Sequence, residues 1–264
     1  MILVPDIHGR DFWKVVKSYK DNTIVFLGDY LDPYINEFPE ISKSPYIQEE
    51  YVEKITALLR ASIDNFKEIL EFKRQNPNNV ILLIGNHDAG YMYSDAICNC
   101  RQDRKNYDEI QSLFRENKDL FQLAYEHETS DGIRYIITHA GIRKDWIDMN
   151  VAYIYAEHIN DNIEITSKNV VNILNELYDK LDYYTMSDML NHISFYRNGY
   201  EQYSSCVWTD YREFNGIDKE YDDIQQIFGH NKLVEVGKKL EFSNLHCIDS
   251  KKCFILNKEG LTTL

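Results

Sequence analysis

Val80-Ile81-Leu82-Leu83-Ile84-Gly85-Asn86-His87-Asp88 decides how the chain is read. Five successive apolar residues leave no face for water, so the run reads as a strand buried on both sides. It stops at a glycine, and the next three residues carry oxygen and nitrogen donors. Four more runs repeat the arrangement. Ile2-Leu3-Val4 leads to Asp6-Ile7-His8-Gly9, and residues 23–27 lead to Gly28-Asp29-Tyr30-Leu31-Asp32. Tyr135-Ile136-Ile137 leads to His139-Ala140-Gly141, and residues 224–228 lead to Gly229-His230-Asn231. Residues 245–248 and Phe254-Ile255-Leu256 read as further strands.

Between the strands lie helical patterns. Residues 46–75 set Val52, Ile55, Leu58, Leu59, Ile63, Phe66, Ile69 and Leu70 at three-and-four spacing, and residues 108–126 repeat the pattern. Strands alternating with helices predict an α/β fold, in which ligands bind beyond the carboxyl ends of the strands. Residues 151–203 differ: they are helical in pattern, rich in Asn and Tyr, and free of strand-like runs. No linker composition flanks them. They read as an insertion within one domain of 264 residues, either packing on the sheet or capping the site with its tyrosines.

Composition narrows the function classes. With 29 Lys+Arg against 43 Asp+Glu the net charge is −14, which excludes a general nucleic-acid surface. No apolar run reaches the roughly 18 residues of a membrane span. No signal-peptide pattern opens the chain, so a cytoplasmic protein is expected. Five cysteines, an odd and sparse number, do not form a disulfide framework. Cys98-Asn99-Cys100 lacks the second Cys/His pair that a zinc finger needs.

Each donor motif has an ordinary alternative. An Asp-x-His after a strand is commonly a helix N-cap, a Gly-Asp a turn, and a lone His a satisfied core residue. Five such motifs at five strand ends are not produced by turn chemistry. Together they read as a metal site made of oxygen and nitrogen ligands.

The ordered set Asp6-x-His8-Gly9, Gly28-Asp29-x-x-Asp32, Gly85-Asn86-His87-Asp88, His139-x-Gly141 and Gly229-His230 resembles the calcineurin-like metallophosphoesterase superfamily. The nearest branch in pattern is that of the bacterial Ser/Thr protein phosphatases and diadenosine-tetraphosphatases. Cys206-Val207-Trp208-Thr209-Asp210 resembles that branch's Leu-Trp-Ser-Asp segment, and residues 247–250 resemble the strand after its last His motif. The resemblance implies a two-sheet α/β sandwich with two divalent metals, manganese first, with iron or zinc as alternatives. Asp6, His8 and Asp29 would hold one ion; Asp29, Asn86, His139 and His230 the other. His87 would be the leaving-group acid, oriented by Asp32. Two metals roughly 3.5–4 Å apart activate a water that attacks phosphorus in line.

The implied activity is phosphomonoester hydrolysis, on a phosphorylated small molecule, nucleotide or phosphoprotein. Its rivals are a nucleotide pyrophosphatase or phosphodiesterase, and a non-catalytic metal-binding scaffold. Lys232 stands where the phosphodiesterase form has a second His, which favours the phosphatase arrangement. Pro33 and Ile84 replace the family's two phosphate-binding arginines. Arg197, within the insertion, is the first candidate to substitute for them, followed by Arg10, Arg143 and Arg212.

Overall fold

The structure, a computed structural model, describes residues 1–42, 49–93, 100–160, 163–215, 221–232 and 244–264. Cys98, Asn99 and the first residues of the expected 46–75 helix lie outside these.

Two mixed sheets with helices make an α/β fold. The first has six strands: β1 (Ile2–Val4), β2 (Ile24–Phe26), β3 (Val80–Leu83), β4 (Phe121–Gln122), β9 (Phe254–Asn257) and β10 (Gly260–Thr263), in the order β10-β9-β1-β2-β3-β4. The second has four: β5 (Ala124–Glu128), β6 (Arg134–Thr138), β7 (Gln225–Phe228) and β8 (Leu245–Cys247), in the order β5-β6-β7-β8. Strands β1 to β4 run parallel, and so do β6 to β8. Ile2 pairs with Ile24, and Ile24 with Val80, so the first three donor-bearing ends lie side by side.

Alternate residues of each run serve different cores. Leu3, Val25, Leu27 and Leu83 pack with Ile137, Ile227 and Ile248 in a cluster contributed by both sheets. Ile2, Val4, Ile24, Phe26, Val80 and Leu82 belong to a larger cluster with Ile63, Phe66, Ile69 and Leu70 of the Glu49–Gln75 helix. Burial on both faces is why these runs carry no polar alternation.

The expected helix over residues 108–126 is corrected. The helix spans Tyr107–Glu116 and stops at Asn117, whose side-chain amide donates to Leu113 O at 2.7 Å. The chain then enters β4 and β5, and β5 pairs antiparallel with β6. Phe121, Leu123 and Tyr125 satisfy a strand's period of two as readily as a helical one, and pairing decides between them.

Residues 151–203 contribute helices Ala152–His158, Val170–Lys180 and Tyr183–Leu190. Ile154, Val170, Leu174, Leu177, Tyr178, Met186 and Leu190 join the large core. Asn175 Oδ1 accepts from the N–H groups of Leu123 and Ala124, bracing the start of β5. Most of this segment therefore packs against the rest of the chain. Tyr153, Tyr184 and Tyr200 are exposed, and of its tyrosines Tyr196 lines the site cavity.

Candidate metal centre

A cavity of about 410 Å³ opens where the five strand ends converge. Asp6, His8, Asp29, Asn86, His87 and His230 line it, with Tyr34, Arg101, Tyr196, Arg197, Asn198 and Trp208. Among the described residues, five non-glycine residues have a positive φ: His8, Asp29, Asp32, Asn198 and His230. Four line the cavity and the fifth, Asp32, is bonded to His87. Such backbone is held against a cost of about 1–3 kcal/mol per residue, and collects at functional sites.

Glycines let the loops approach. A Cβ on Gly85 would stand 2.2 Å from Asp29 Oδ1, and one on Gly229 would stand 2.1 Å from Asp6 Oδ1. Gly85 and Gly229 thus each make room for a carboxylate from another strand end.

The donors fall into two clusters that share Asp29. His8, Asp29 and His87 offer ligand atoms within 4.8 Å of one another, and so do Asp29, His139 and His230. His8 Nε2 lies 3.5 Å from Asp29 Oδ2, and His139 Nε2 lies 3.6 Å from the same oxygen. Asn86 Oδ1 is 3.1 Å and His230 Nδ1 3.2 Å from His139 Nε2. Asp6 lines the cavity outside both clusters, and its two oxygens accept the His230 backbone N–H at 3.1 Å each.

Proton bookkeeping shows that these residues suit a cation. His139 Nδ1 faces Leu27 O at 2.8 Å, and His8 Nδ1 faces Leu31 O at 3.0 Å. A carbonyl only accepts, so each Nδ1 carries a proton and each ring turns its Nε2 inward. At His139 that Nε2 faces a carboxylate oxygen and an amide oxygen. Buried His230 Nε2 has no hydrogen-bond partner among the described residues. Burial holds the His8 and His230 pKa values well below the usual imidazole range, so both rings stay neutral donors. Oxygen and nitrogen ligands without thiolate suit a hard or borderline divalent ion.

His87 is arranged differently. Its Nδ1 lies 2.7 Å from Asp32 Oδ2, while Asp32 Oδ1 accepts from Tyr91 Oη at 2.6 Å and from the Asp103 N–H at 3.2 Å. Burial works to lower the His87 pKa, but the Asp29 charge and the Asp32 hydrogen bond outweigh it and raise it.

Arg197 reaches the cavity beside His230, donating from Nη2 to Asn231 Oδ1 at 2.7 Å and to His230 O at 3.2 Å. Its Nε is 3.0 Å from Asp210 Oδ2 without hydrogen-bond geometry. Trp208 stands edge-on to His230, with ring centroids 5.9 Å apart. The other candidate arginines are engaged elsewhere: Arg143 with Asp145 and Glu213, Arg212 with Asp210, and Arg10 with Glu37. Arg101 was missed by sequence reasoning. It lines the cavity, donates from Nη2 to Asp32 O at 3.0 Å and stacks on Tyr34. No strand or motif precedes it to signal that position.

No helix among the described residues is long and apolar enough to cross a membrane. No curated protein sequence matches the chain. Among solved structures, a cold-active protein tyrosine phosphatase from a psychrophilic Shewanella is similar at 16% identity, over 100% of this chain and 79% of that one, with a TM-score of 0.44. A Ser/Thr protein phosphatase from Saccharomyces cerevisiae is similar at 15% identity, over 94% of this chain and 66% of that one, with a TM-score of 0.40. The family model of the calcineurin-like phosphoesterases matches residues 2–237, every strand end that feeds the cavity included, and the chain belongs to that family.

Proposed function

We propose that the chain is a two-metal phosphomonoesterase. The observation that carries this reading is Asp29 Oδ2, which faces both histidine clusters at once. Asp6, His8 and Asp29 would hold one divalent ion, and Asp29, Asn86, His139 and His230 the second. Manganese suits the donor set, with iron and zinc as alternatives. When bound, the ions lower the pKa of water and offset the charge on phosphoryl oxygens.

The remaining steps belong to the chain's own side chains. With Nδ1 committed to Asp32, His87 has Nε2 left to give a proton to the departing oxygen. The raised pKa keeps that proton available near neutrality. Tyr91 and the Asp103 N–H hold Asp32, and through it the ring. Arg197 offers a guanidinium to phosphoryl oxygens from the His230 side. The end of the 151–203 insertion thereby reaches the substrate while its helices stay packed. The buried thiols of Cys206, Cys247 and Cys253 fit a reducing compartment such as the cytoplasm.

A second reading, nucleotide pyrophosphatase or phosphodiesterase, is favoured by Pro33 and Ile84, since Ile84 is buried in the core where the family has an arginine. Hydrolysis of p-nitrophenyl phosphate and of bis(p-nitrophenyl) phosphate, each with added Mn²⁺, separates the readings. Preference for the monoester supports the first and preference for the diester the second. Metal-loaded protein that cleaves neither ester, nor any of a panel of phosphorylated metabolites, nucleotides and phosphopeptides, would be a scaffold.

A further inference from the structure

A second cavity, of about 360 Å³, shares Arg101 as a wall with the cavity of the donor set. The loop after β2 serves the two in alternation. Asp32, Pro33 and Ile35 line the second cavity, while Tyr34 lines the first. Pro33 stands where the family resemblance has a phosphate-binding arginine, so an apolar wall replaces a charge at this point. A further wall comes from the N-terminal part of the Glu49–Gln75 helix, where Val52, Ile55 and Leu59 stand at spacings of three and four. The core clusters take Ile63, Phe66, Ile69 and Leu70 from this helix and do not include those three. Val52 is 56% exposed and Ile35 37%. The polar groups around the cavity are mostly engaged within the protein. Asp32 accepts from Tyr91 Oη and is bonded to His87, and Gln102 donates to Gly90 O at 3.1 Å. The Asp103 carboxylate takes the N–H groups of Lys105 and Asn106 at 3.1 Å each, and Lys105 Nζ donates to Thr56 Oγ1 at 3.1 Å. The surface turned to the cavity is mostly hydrocarbon.

We infer that this cavity receives the leaving group, and that the natural substrate is a phosphomonoester of a hydrophobic alcohol. The inference rests on the phosphomonoesterase reading and names the substrate class of that site. Water adds to phosphorus, the bond to the alcohol oxygen breaks, and that oxygen leaves as the alcohol with the His87 proton. The leaving group therefore lies against His87. Asp32, bonded to His87, and Arg101 both border the apolar cavity, so a group departing past His87 has this cavity beside it. A hydrocarbon tail seated there removes Val52, Ile55 and Leu59 from water along with itself, and each methylene it buries adds to the affinity. The volume is that of a small-molecule site. The phosphoryl end is met by the donor set and Arg197, and the tail asks for no charge at Pro33.

The test compares butyl, hexyl and octyl phosphate, whose leaving alcohols are equally poor, so that the chemical step stays constant while the tail lengthens. With the manganese-loaded protein, kcat/KM should rise roughly two- to fourfold per added methylene. Ile55→Gln should flatten the series and Ile55→Leu should keep it. Ile55 is partly exposed on a helix, and Gln and Leu are both good helix formers, so neither variant threatens folding. Calorimetric binding of butyl-, hexyl- and octylphosphonate, which are not hydrolysed, is measured alongside. Phosphonate affinities that rise with length and follow Ile55, in a protein that hydrolyses no ester, would support the pocket and sink the hydrolase reading alone. Flat series in an active enzyme, or an Ile55→Gln slope equal to that of the wild type, overturn the pocket and leave its apolar wall to a protein partner.

Discussion

The carboxylate of Asp88 holds the backbone of Asp29 across 59 positions of sequence, with Oδ2 accepting the Asp29 N–H at 2.7 Å. The same carboxylate takes the Tyr30 N–H at 3.1 Å and the Gly85 N–H at 2.9 Å. In return Asp29 Oδ1 accepts the His87 N–H at 3.0 Å. Asp88 is fully buried, so its removal strands three N–H groups away from water. A stranded buried donor costs about 1–3 kcal/mol. Asp88→Ala is therefore expected to lose about 3 kcal/mol or more of unfolding free energy in urea, and Asp88→Asn less, because it keeps one acceptor. A loss under about 1 kcal/mol for the alanine variant would contradict this brace.

Asp29 is the point shared by both donor clusters. Asp29→Asn removes one negative charge from both at once. The variant is expected to retain less than half of the wild-type metal content, measured by elemental analysis after gel filtration, and to lose activity in step. Wild-type stoichiometry with full activity would remove Asp29 from the bridging position.

His87 is separated from the other cavity histidines by its bond to Asp32. A proton donor matters most when the leaving group is poor. His87→Asn should slow an alkyl phosphate by ~10²–10⁴, and p-nitrophenyl phosphate, whose leaving group needs little help, much less. Metal content should stay at the wild-type level. Equal losses on both substrates, or loss of metal, would assign His87 another part.

The convergence of the strand ends was legible because two constraints coincide at each one. Val80 to Ile84 must be a two-faced buried strand, and Gly85 must follow because Asp29 leaves no space for a Cβ. The five motifs put donors at the strand ends, and the family resemblance divided them between two ions. Arg101 could not be placed this way. No strand-like run or motif precedes it in the sequence, and its position rests on contacts with Asp32 O and the Tyr34 ring. Asp88 was visible as part of its motif, yet its three amide partners belong to loops whose approach only the folded chain defines. The misread stretch after Asn117 failed for a local reason: Phe121, Leu123 and Tyr125 fit either period, and the antiparallel partner β6 comes later in the chain.

Glu37 gives a pH signature outside the donor clusters. Burial works to raise its pKa, but hydrogen bonds from Arg10 and Lys251 outweigh that and pull it from 4.5 down to about 2. The folded value lies below the unfolded one, so the unfolded state binds more protons across this range. The stabilisation is fully present above about pH 4.5 and is lost as pH falls toward 2. Thermal unfolding of wild type and Glu37→Gln should therefore differ most above pH 5 and converge as the pH drops through 3. A difference that grows on acidification would reverse the sign and refute the assignment.

Arg197 is held in place by the motif that supplies His230, since Asn231 Oδ1 accepts from its Nη2 at 2.7 Å and also from the Tyr211 N–H at 3.2 Å. This fixes the guanidinium at the cavity wall before any substrate arrives, so little side-chain entropy remains to be lost on binding. Its Nε lies 3.0 Å from Asp210 Oδ2, an ion pair that holds the guanidinium from a second side. Loss of one charge-assisted contact to phosphate is worth ~1.5–3 kcal/mol. Arg197→Ala should then lower kcat/KM for a phosphomonoester roughly 10–100-fold with metal content intact. Asn231→Ala should produce part of the same loss, because it frees the guanidinium without deleting it. Steady-state kinetics on both variants, with metal analysis alongside, decides the matter. Unchanged kinetics in Arg197→Ala would leave Arg101 as the remaining cavity-lining arginine to supply the contact.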